Sequence, residues 1–548
     1  MSQGAARHAT DADALCRQGV AQWQRGEWDA AAETLAHAVL LAPHHAAARA
    51  NLGNALLELG RVTEALSHLN AAAMLRPDHA PAQYNLGNAL LAAGDAEAAE
   101  LRFAAALRLD PTHVGAHNNY GNALRVLSRP EEAMVSYRRA ATLRPDLAGT
   151  HNNLGSALLA LHRPAEAEAA LREALRLRPD YAEAANNLGG ALLALDRPDE
   201  ALVQFRRAVT LDAGQVQARF GESLALLTLG DYRAGWAAYE SRWHDPRFRD
   251  DERSYDIPLW LNAPDDRIAG RTLLLHAEQG LGDTIQFVRY VPLVRRLGAR
   301  VVLEVQAPLR RLAEGMADVT ITVGADLPEC DAHCPLLSLP LAFGTELPTV
   351  PATIPYLRPD PARVAAWQRT LGPRVGLRVG LAISGCSEHP DDALRSIPAA
   401  LLHPLLILPG VEFHLVQKDL RDIDASVLRQ LPGPRIHADA LCDFAETAAL
   451  LSALDLLVTV DTSVAHLGGA LGLPVWLLLQ SNADFRWLRV REDSPWYPTA
   501  RLFRQDGARR WEPVVARVAQ ALRDAARQQL RDRRTGAHLS DACGRHTT

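Results

Sequence analysis

Lysine is almost missing from these 548 residues: Lys418 is the single one, and arginine supplies every other of the 58 cationic side chains. A Walker-type phosphate loop needs a Gly-Lys-Ser/Thr step, so P-loop nucleotide chemistry is excluded. Cysteine is scarce too. The six are scattered without a C-x-x-C pair, which argues against a disulfide framework or a zinc knuckle. Cys330, His333 and Cys334 in ECDAHCP come near ligand spacing, but no second ligand pair accompanies them. They read as groups on a half-buried strand or loop, and no metal or other cofactor is expected. No run approaches the ~20 apolar residues of a membrane span, and the opening MSQGAARHATDADA lacks the apolar stretch of an export signal. The expectation is a cytoplasmic protein without a membrane span. Net charge is -6 with no arginine stripe, so no nucleic-acid partner is expected. The one basic cluster, from Arg523 to Thr548, reads as a solvated, disordered tail.

What is present is a long repeat. Gly19, Gly53, Gly87, Gly121, Gly155 and Gly189 recur every 34 residues, and Ala31, Ala65, Ala99, Ala133, Ala167 and Ala201 keep the same register. That is the tetratricopeptide period, an α-solenoid of helical pairs. Leu35, Leu69, Phe103, Tyr137, Leu171 and Phe205 follow four positions after the alanines, large where the others are small, so helices approach closely and the gap between them is filled. Prolines from Pro43 to Pro179 stop the second helix of five units. A seventh unit, GESLALLTLGDYRAGWAAYESRW, carries Ser223 and Gly235 where Gly and Ala are expected, as a capping or junction repeat would.

Asn51, Asn85, Asn119, Asn153 and Asn187 occupy one position in successive units. Asparagine is a mediocre helix former, so the column needs a reason. It either hydrogen-bonds neighbouring repeats to one another or lines the groove with amides that hold an extended polypeptide irrespective of its sequence. The second arrangement resembles the asparagine ladder of the protein O-GlcNAc transferases.

After Trp243 the pattern changes. A charged, proline-containing linker, residues 244–270, leads into β-rich runs RTLLLHAE, RVVLEVQ and VTITVG with helices between them. A second set follows with VGLRVGLAIS, VEFHLVQ, LDLLVTV and PVWLLLQ. The expected organisation is a repeat superhelix over 12–243, Rossmann-like domains over 271–360 and 361–522, and the tail 523–548. Ligands are expected at the carboxyl ends of the strands. The proline-rich PTVPATIPYLRPDPARV suits a hinge between the two domains.

Two turns carry the chemistry. QGLGDTIQF places Gly280 and Gly282 in a tight turn with Asp283 opening a helix, as a cap or as a carboxylate able to take a proton. DTSVAHLGGALGLP supplies Asp461, Thr462 and Ser463 at another helix start, whose free amides suit a diphosphate. Asp422 and Asp424 form a D-x-D triplet that follows polar QKDLR rather than a strand, and read as a solvated helix start.

With GLGDTIQFVRYVP, CPLLSLP, LRSIP, DTSVAHLGGALGLPVWLLL and REDSPWYPTARLFRQ in that order, residues 271–505 resemble the heptosyltransferase-type glycosyltransferases of the GT-B fold. More specifically, the chain resembles bacterial proteins that join tetratricopeptide repeats to such a domain. The resemblance implies Asp283 as catalytic base. It implies Gly282, Asp461, Thr462, Ser463 and His466 as the donor-diphosphate site, with Arg395 as a cationic partner. It further implies transfer from a nucleotide sugar to a polypeptide held by the repeats, without metal. The pattern departs at ISGCSEHPDDALRSIP, where only Ser384 and Gly385 match. Two other readings stand beside this one: a non-catalytic scaffold with a degenerate enzyme domain, and an enzyme directed at lipopolysaccharide or another glycan. His276 is the alternative base.

Overall fold

The computed structural model describes residues 3–251, 255–386, 392–431 and 433–535. They form two compact units. One runs to Leu195 and includes Val203–Gln215; the other takes Asp196–Leu202 and everything from Val216 onward.

The first unit is a tetratricopeptide-repeat array of helical pairs, from Gln3–Gln24 with Trp28–Leu41 to Ala182–Ala194 with Pro198–Leu211. Both sequence columns have a packing cause. All six aligned alanines are fully buried. A Cβ added at Gly87 or Gly121 would fall 2.6 Å from the ring of Phe103 or Tyr137, a distance that real contacts do not reach. Each pair therefore closes on a glycine that has no room for a side chain. The turn within each pair needs a left-handed residue: Gly26, Gly60 and Gly94 provide it in the first three units, but Ser128 (φ 58°) and His162 (φ 53°) occupy the same register later.

The second unit includes Asp196–Leu202 and then the seventh helical pair, Val216–Leu229 and Tyr232–Tyr239. Phe220, Tyr232 and Trp236 of this pair share one hydrophobic core with the α/β region, so the junction repeat is structurally part of that region. Four parallel strands follow: β1 Thr272–His276, β2 Arg300–Val305, β3 Val319–Thr322 and β4 Ala332–Pro335. They lie in the order β3-β2-β1-β4. A second parallel sheet contains β5 Leu377–Ala382, β6 Val411–Leu415, β7 Arg435–Ile436, β8 Leu456–Val460, β9 Val475–Leu479 and β10 Ala500–Arg504. Its order, β7-β6-β5-β8-β9-β10, is the doubly wound Rossmann arrangement with the reversal between β5 and β8. The two Rossmann-like sheets are those expected. Strands β4, β7 and β10 were not legible, and β7 is two exposed residues with no apolar pattern to read.

Three local expectations change. The helix Glu512–Thr535 continues past the expected start of the tail, with Ala526 and Gln529 buried; residues 536–548 lie outside the described residues. The proline-rich segment is pinned rather than free to hinge: Tyr356 donates its hydroxyl to the Ile285 carbonyl at 3.0 Å and its N–H to the Ala470 carbonyl at 3.0 Å. Asp424 is buried, accepting the Ala399 N–H at 2.9 Å and pairing with Arg421 at 2.6 Å, so only Asp422 matches a solvated helix start.

Candidate functional site

The strand order reverses between β5 and β8, the place where sheets of this kind bind ligands, and the helices that follow the two motif turns pack against each other. β8 ends in Asp461. Thr462 caps the helix Ser463–Ala470, accepting the Val464 N–H at 3.4 Å. β1 leads through Gly280 into the helix Leu281–Phe287, which packs against Ser463–Ala470. Gly282 is the contact point: a Cβ there would lie 3.0 Å from His466 Cδ2 and 3.5 Å from Ser463 Cα. A side chain at 282 would press on His466, so the small residue lets the two helix starts approach closely.

Asp283 is the third residue of its helix rather than its opening one. Its Oδ2 accepts the Gly280 N–H at 3.0 Å, closing the turn. Its Oδ1 pairs with Arg486, a residue of the 3-10 turn Phe485–Trp487 that follows β9. Arg486 is buried and uses all three of its nitrogens: besides the pair with Asp283, Nε donates to Gln286 Oε1 at 2.6 Å and Nη1 to Asp484 Oδ1 at 2.9 Å. Burial pushes the Asp283 carboxyl above its usual range against the opposing pull of Arg486. Asp461 is pushed up to about 6 by burial and by the Asp484 charge, with Arg486 and Arg395 pulling the other way. The site thus gathers three carboxylates around buried arginine.

His466 is placed differently from a solvent-facing ligand. It is 6% exposed, its Nδ1 lies 2.9 Å from the Tyr497 hydroxyl, and its ring stacks on Trp487 with centroids 5.4 Å apart. Burial, with Arg486 and Arg289 nearby, holds it well below the ordinary histidine range and therefore neutral. The adjacent indole of Trp487 is buried, and its N–H acts on the Asp461 carboxylate, pulling it down together with Arg486 and Arg395. Arg395 ends the short helix Asp392–Arg395 and lies over Gly385, where a Cβ would collide with its guanidinium. Its Nε is buried without an acceptor among the described residues, and the Asp392 carboxylate is 3.7 Å away. Residues 387–391 of the divergent segment lie outside the described residues. Ser384 is held by Gln417 Nε2 at 2.8 Å.

His276 ends β1 at 2% exposure, with Nε2 3.1 Å from His333 Nδ1 and Tyr255 against both rings. An acceptor cannot reach a base buried in that cluster. Cys334 is buried on β4, and Cys330 precedes it. A cavity of about 270 Å³ opens at the ends of β9 and β10, lined by Arg421, Gln480, Asn482, Gln505, Arg509 and Trp511 and by none of the residues of the two turns.

In the repeat unit the asparagine column is spent largely on neighbouring repeats. Asn119 Nδ2 donates to Asn88 Oδ1 at 2.8 Å, and Asn187 Nδ2 to Asn152 Oδ1 at 2.9 Å. Asn153 Nδ2 donates to Asn118 and Asn122 at 3.2 and 3.3 Å, and Asn51 Nδ2 to Cys16 Sγ at 3.3 Å. Asn85 holds the same register, half-buried on the helix Ala80–Ala92.

Arg486, Asp484, Trp487 and Tyr497 were not picked out from the sequence. The signal was QSNADFRWL, a charged turn directly after a β-rich run, at the edge where ligands bind in such sheets.

Models of the tetratricopeptide repeat match residues 16–80, 84–148 and 146–213. No model of a glycosyltransferase domain matches. Protein FlbA of Caulobacter vibrioides is 32% identical over 337 residues, covering 56% of this chain and 55% of that protein; the chain thus spans about half the length of this relative. Among solved structures, YrrB, described as a TPR protein with an unusual peptide-binding site, is 22% identical, with TM-score 0.31 over 35% of this chain and all of that one. Pseudomonas aeruginosa pilF is 22% identical, with TM-score 0.33 over 36% of this chain and 90% of that one. Residues 16–213 carry tetratricopeptide repeats, and a C-terminal α/β region of two parallel sheets follows them. No helix among the described residues is long and apolar enough to cross a membrane.

Proposed function

We propose that the α/β region is a GT-B glycosyltransferase that uses a nucleotide-diphosphate sugar and modifies a protein or peptide acceptor engaged by the repeats. The observation that carries the reading is the meeting of two helix starts at Gly282 and Ser463, beside the strand reversal and flanked by Asp283 and Asp461. Paired amide termini favour a diphosphate, and Arg395, whose charge acts on Asp461, is the proposed cationic partner. In the transfer, the acceptor hydroxyl oxygen bonds to the sugar C1 and its proton passes to Asp283. The bond from C1 to the diphosphate oxygen breaks, and the nucleoside diphosphate leaves with the electron pair. The half-buried amides of the asparagine column, each with capacity beyond the inter-repeat bonds, are the proposed acceptor surface.

The test is thermal unfolding of the full chain with UDP, GDP and ADP. A ligand that binds only the native state raises the melting temperature, by an amount set by its concentration over Kd. One of the three is expected to do so, and Arg395→Ala to weaken the effect. If none shifts the transition, the donor-site reading fails.

The engagement of Asp283 by Arg486, together with the use of the asparagine amides between repeats, favours a second reading: a rigid scaffold whose enzyme domain is inactive. Purified Asp283→Asn separates the two. Loss of transfer with retained nucleotide stabilisation supports the enzyme, and absence of turnover in both proteins supports the scaffold.

A further inference from the structure

Arg486 enters the region of Asp283 from the other sheet, 203 residues away in sequence, and is held there by three partners. The elements packed around Asp283 present few other ionisable groups. The 3-10 turn brings Asp484 with Arg486, the helix Tyr232–Tyr239 brings the Tyr239 hydroxyl, and the helix Ser463–Ala470 brings neutral His466 with Asp461 ahead of it. Arg486 is therefore the cation that faces this carboxylate.

The geometry of the carboxylate is the second observation. Oδ2 accepts the Gly280 N–H and Oδ1 accepts a single N–H, Nη2, of Arg486. A carboxylate has about four acceptor positions, and with the Gly280 and Asp283 backbone N–H groups and Arg486 acting on it, about one stays available to a hydroxyl proton, now in a set plane. The side chain keeps 19% exposure, while that of Arg486 keeps 10%.

We propose that Arg486 is a positioning residue of the transfer reaction: it aims the Asp283 carboxylate and keeps it ionised in a buried place, so that it can accept the proton of an acceptor hydroxyl. The inference rests on the reading of Asp283 as base. It explains why an arginine is needed here. A guanidinium can bind the carboxylate, Gln286 and Asp484 at once, whereas an ammonium is a point charge without the planar fork. Arg486 itself does not touch the reacting atoms.

The test reads the protonation of Asp283 directly and needs no turnover. The full chain is labelled with a water-soluble carbodiimide and glycinamide between pH 4.5 and 8, since the carbodiimide activates the protonated carboxyl, and labelling of the Asp283 peptide is followed by mass spectrometry. An opposite charge in contact moves a carboxyl by about one unit or more, so Arg486→Gln is expected to raise the labelling midpoint by at least about one pH unit. Arg486→Lys keeps the charge but loses the fork, and its midpoint is expected roughly half a unit above wild type. An unchanged midpoint in folded Arg486→Gln overturns the proposal. Should that variant not fold, as judged by its melting curve, Arg486→Lys decides, and a wild-type midpoint there overturns it. Absence of labelling in wild type at every pH also overturns it, because a carboxyl out of reach of a small reagent is out of reach of an acceptor. Nucleotide-induced stabilisation is a separate readout, so failure of the donor-site reading is distinguishable from failure of this one.

Discussion

In the repeat unit, Gly121 closes on Tyr137 within one helical pair and the buried set is alanine, leucine and few aromatics; in the α/β unit, Asp283 meets Arg486 across 203 residues. The largest fully buried side chains, Trp236, Trp260, Trp487 and Trp496, with the guanidinium of Arg242, all belong to the second unit. Ion pairs divide the same way. The repeats carry exposed pairs three residues apart, Arg61 with Glu64 and Arg129 with Glu132, on helix surfaces. The α/β unit has exposed pairs as well, but it also buries Arg242, Arg289, Arg378 and Arg486. Arg242 binds both oxygens of Glu278 at 2.9 Å, and Arg289 donates to the Trp496 carbonyl at 2.8 Å. A repeat array needs only neighbour contacts, so small residues and surface charge suffice. A site built between two sheets must bring charge inside, and each buried charge then needs a partner.

The largest expected effect breaks that second mode. Arg242→Ala leaves Glu278 buried with its charge uncompensated, and about 3–5 kcal/mol of stability is expected to be lost from the α/β unit, read by urea unfolding followed through tryptophan fluorescence. Burial already pushes the Glu278 carboxyl upward, so without Arg242 it is expected to take up a proton at higher pH than in wild type. If the repeats are the more independent unit, their helical signal keeps its own transition in this variant.

A middle-sized effect breaks the first mode. Gly121→Ala drives a Cβ into the Tyr137 ring, and overpacking of this kind costs typically about 1–3 kcal/mol, seen by circular dichroism as a lower repeat transition. The tryptophan-reported α/β transition is expected to stay in place. Movement of both transitions together would show that the units unfold as one.

The smallest effect sharpens the comparison by stabilising. His162 adopts φ 53° in the turn where earlier units have glycine, so His162→Gly relieves a left-handed strain and is expected to add roughly 0.5–1 kcal/mol to the repeats. A neutral or lower melting temperature would mean that the histidine ring contributes more than its backbone costs.

Legibility followed contact distance along the chain. The 34-residue period was readable because Gly, Ala and the large residue meet inside one pair, and β1, β2, β5, β8 and β9 were readable from continuous apolar runs. The turn at Gly280–Asp283 was readable as a glycine-rich strand exit, although the position of Asp283 in its helix was off by the two residues Leu281 and Gly282. The asparagine column was visible as a pattern, but the use of its amides was not. The bond from Asn119 to Asn88 depends on how far one repeat rotates over the next, which no residue type encodes by itself.

Arginine as nearly the only cation, the repeat register and the two glycine-bearing turns were determined by the sequence alone, since each rests on local sterics or on side-chain chemistry. The partner of Asp283, the burial of His466 against Trp487 and Tyr497, and the seventh helical pair's place in the α/β core were decided only by tertiary structure. In each of these the partners are brought together by the packing of whole elements, and a pair such as Asp283 and Arg486 acquires its energy from desolvation that exists only once both helix starts and the loop after β9 have closed over it.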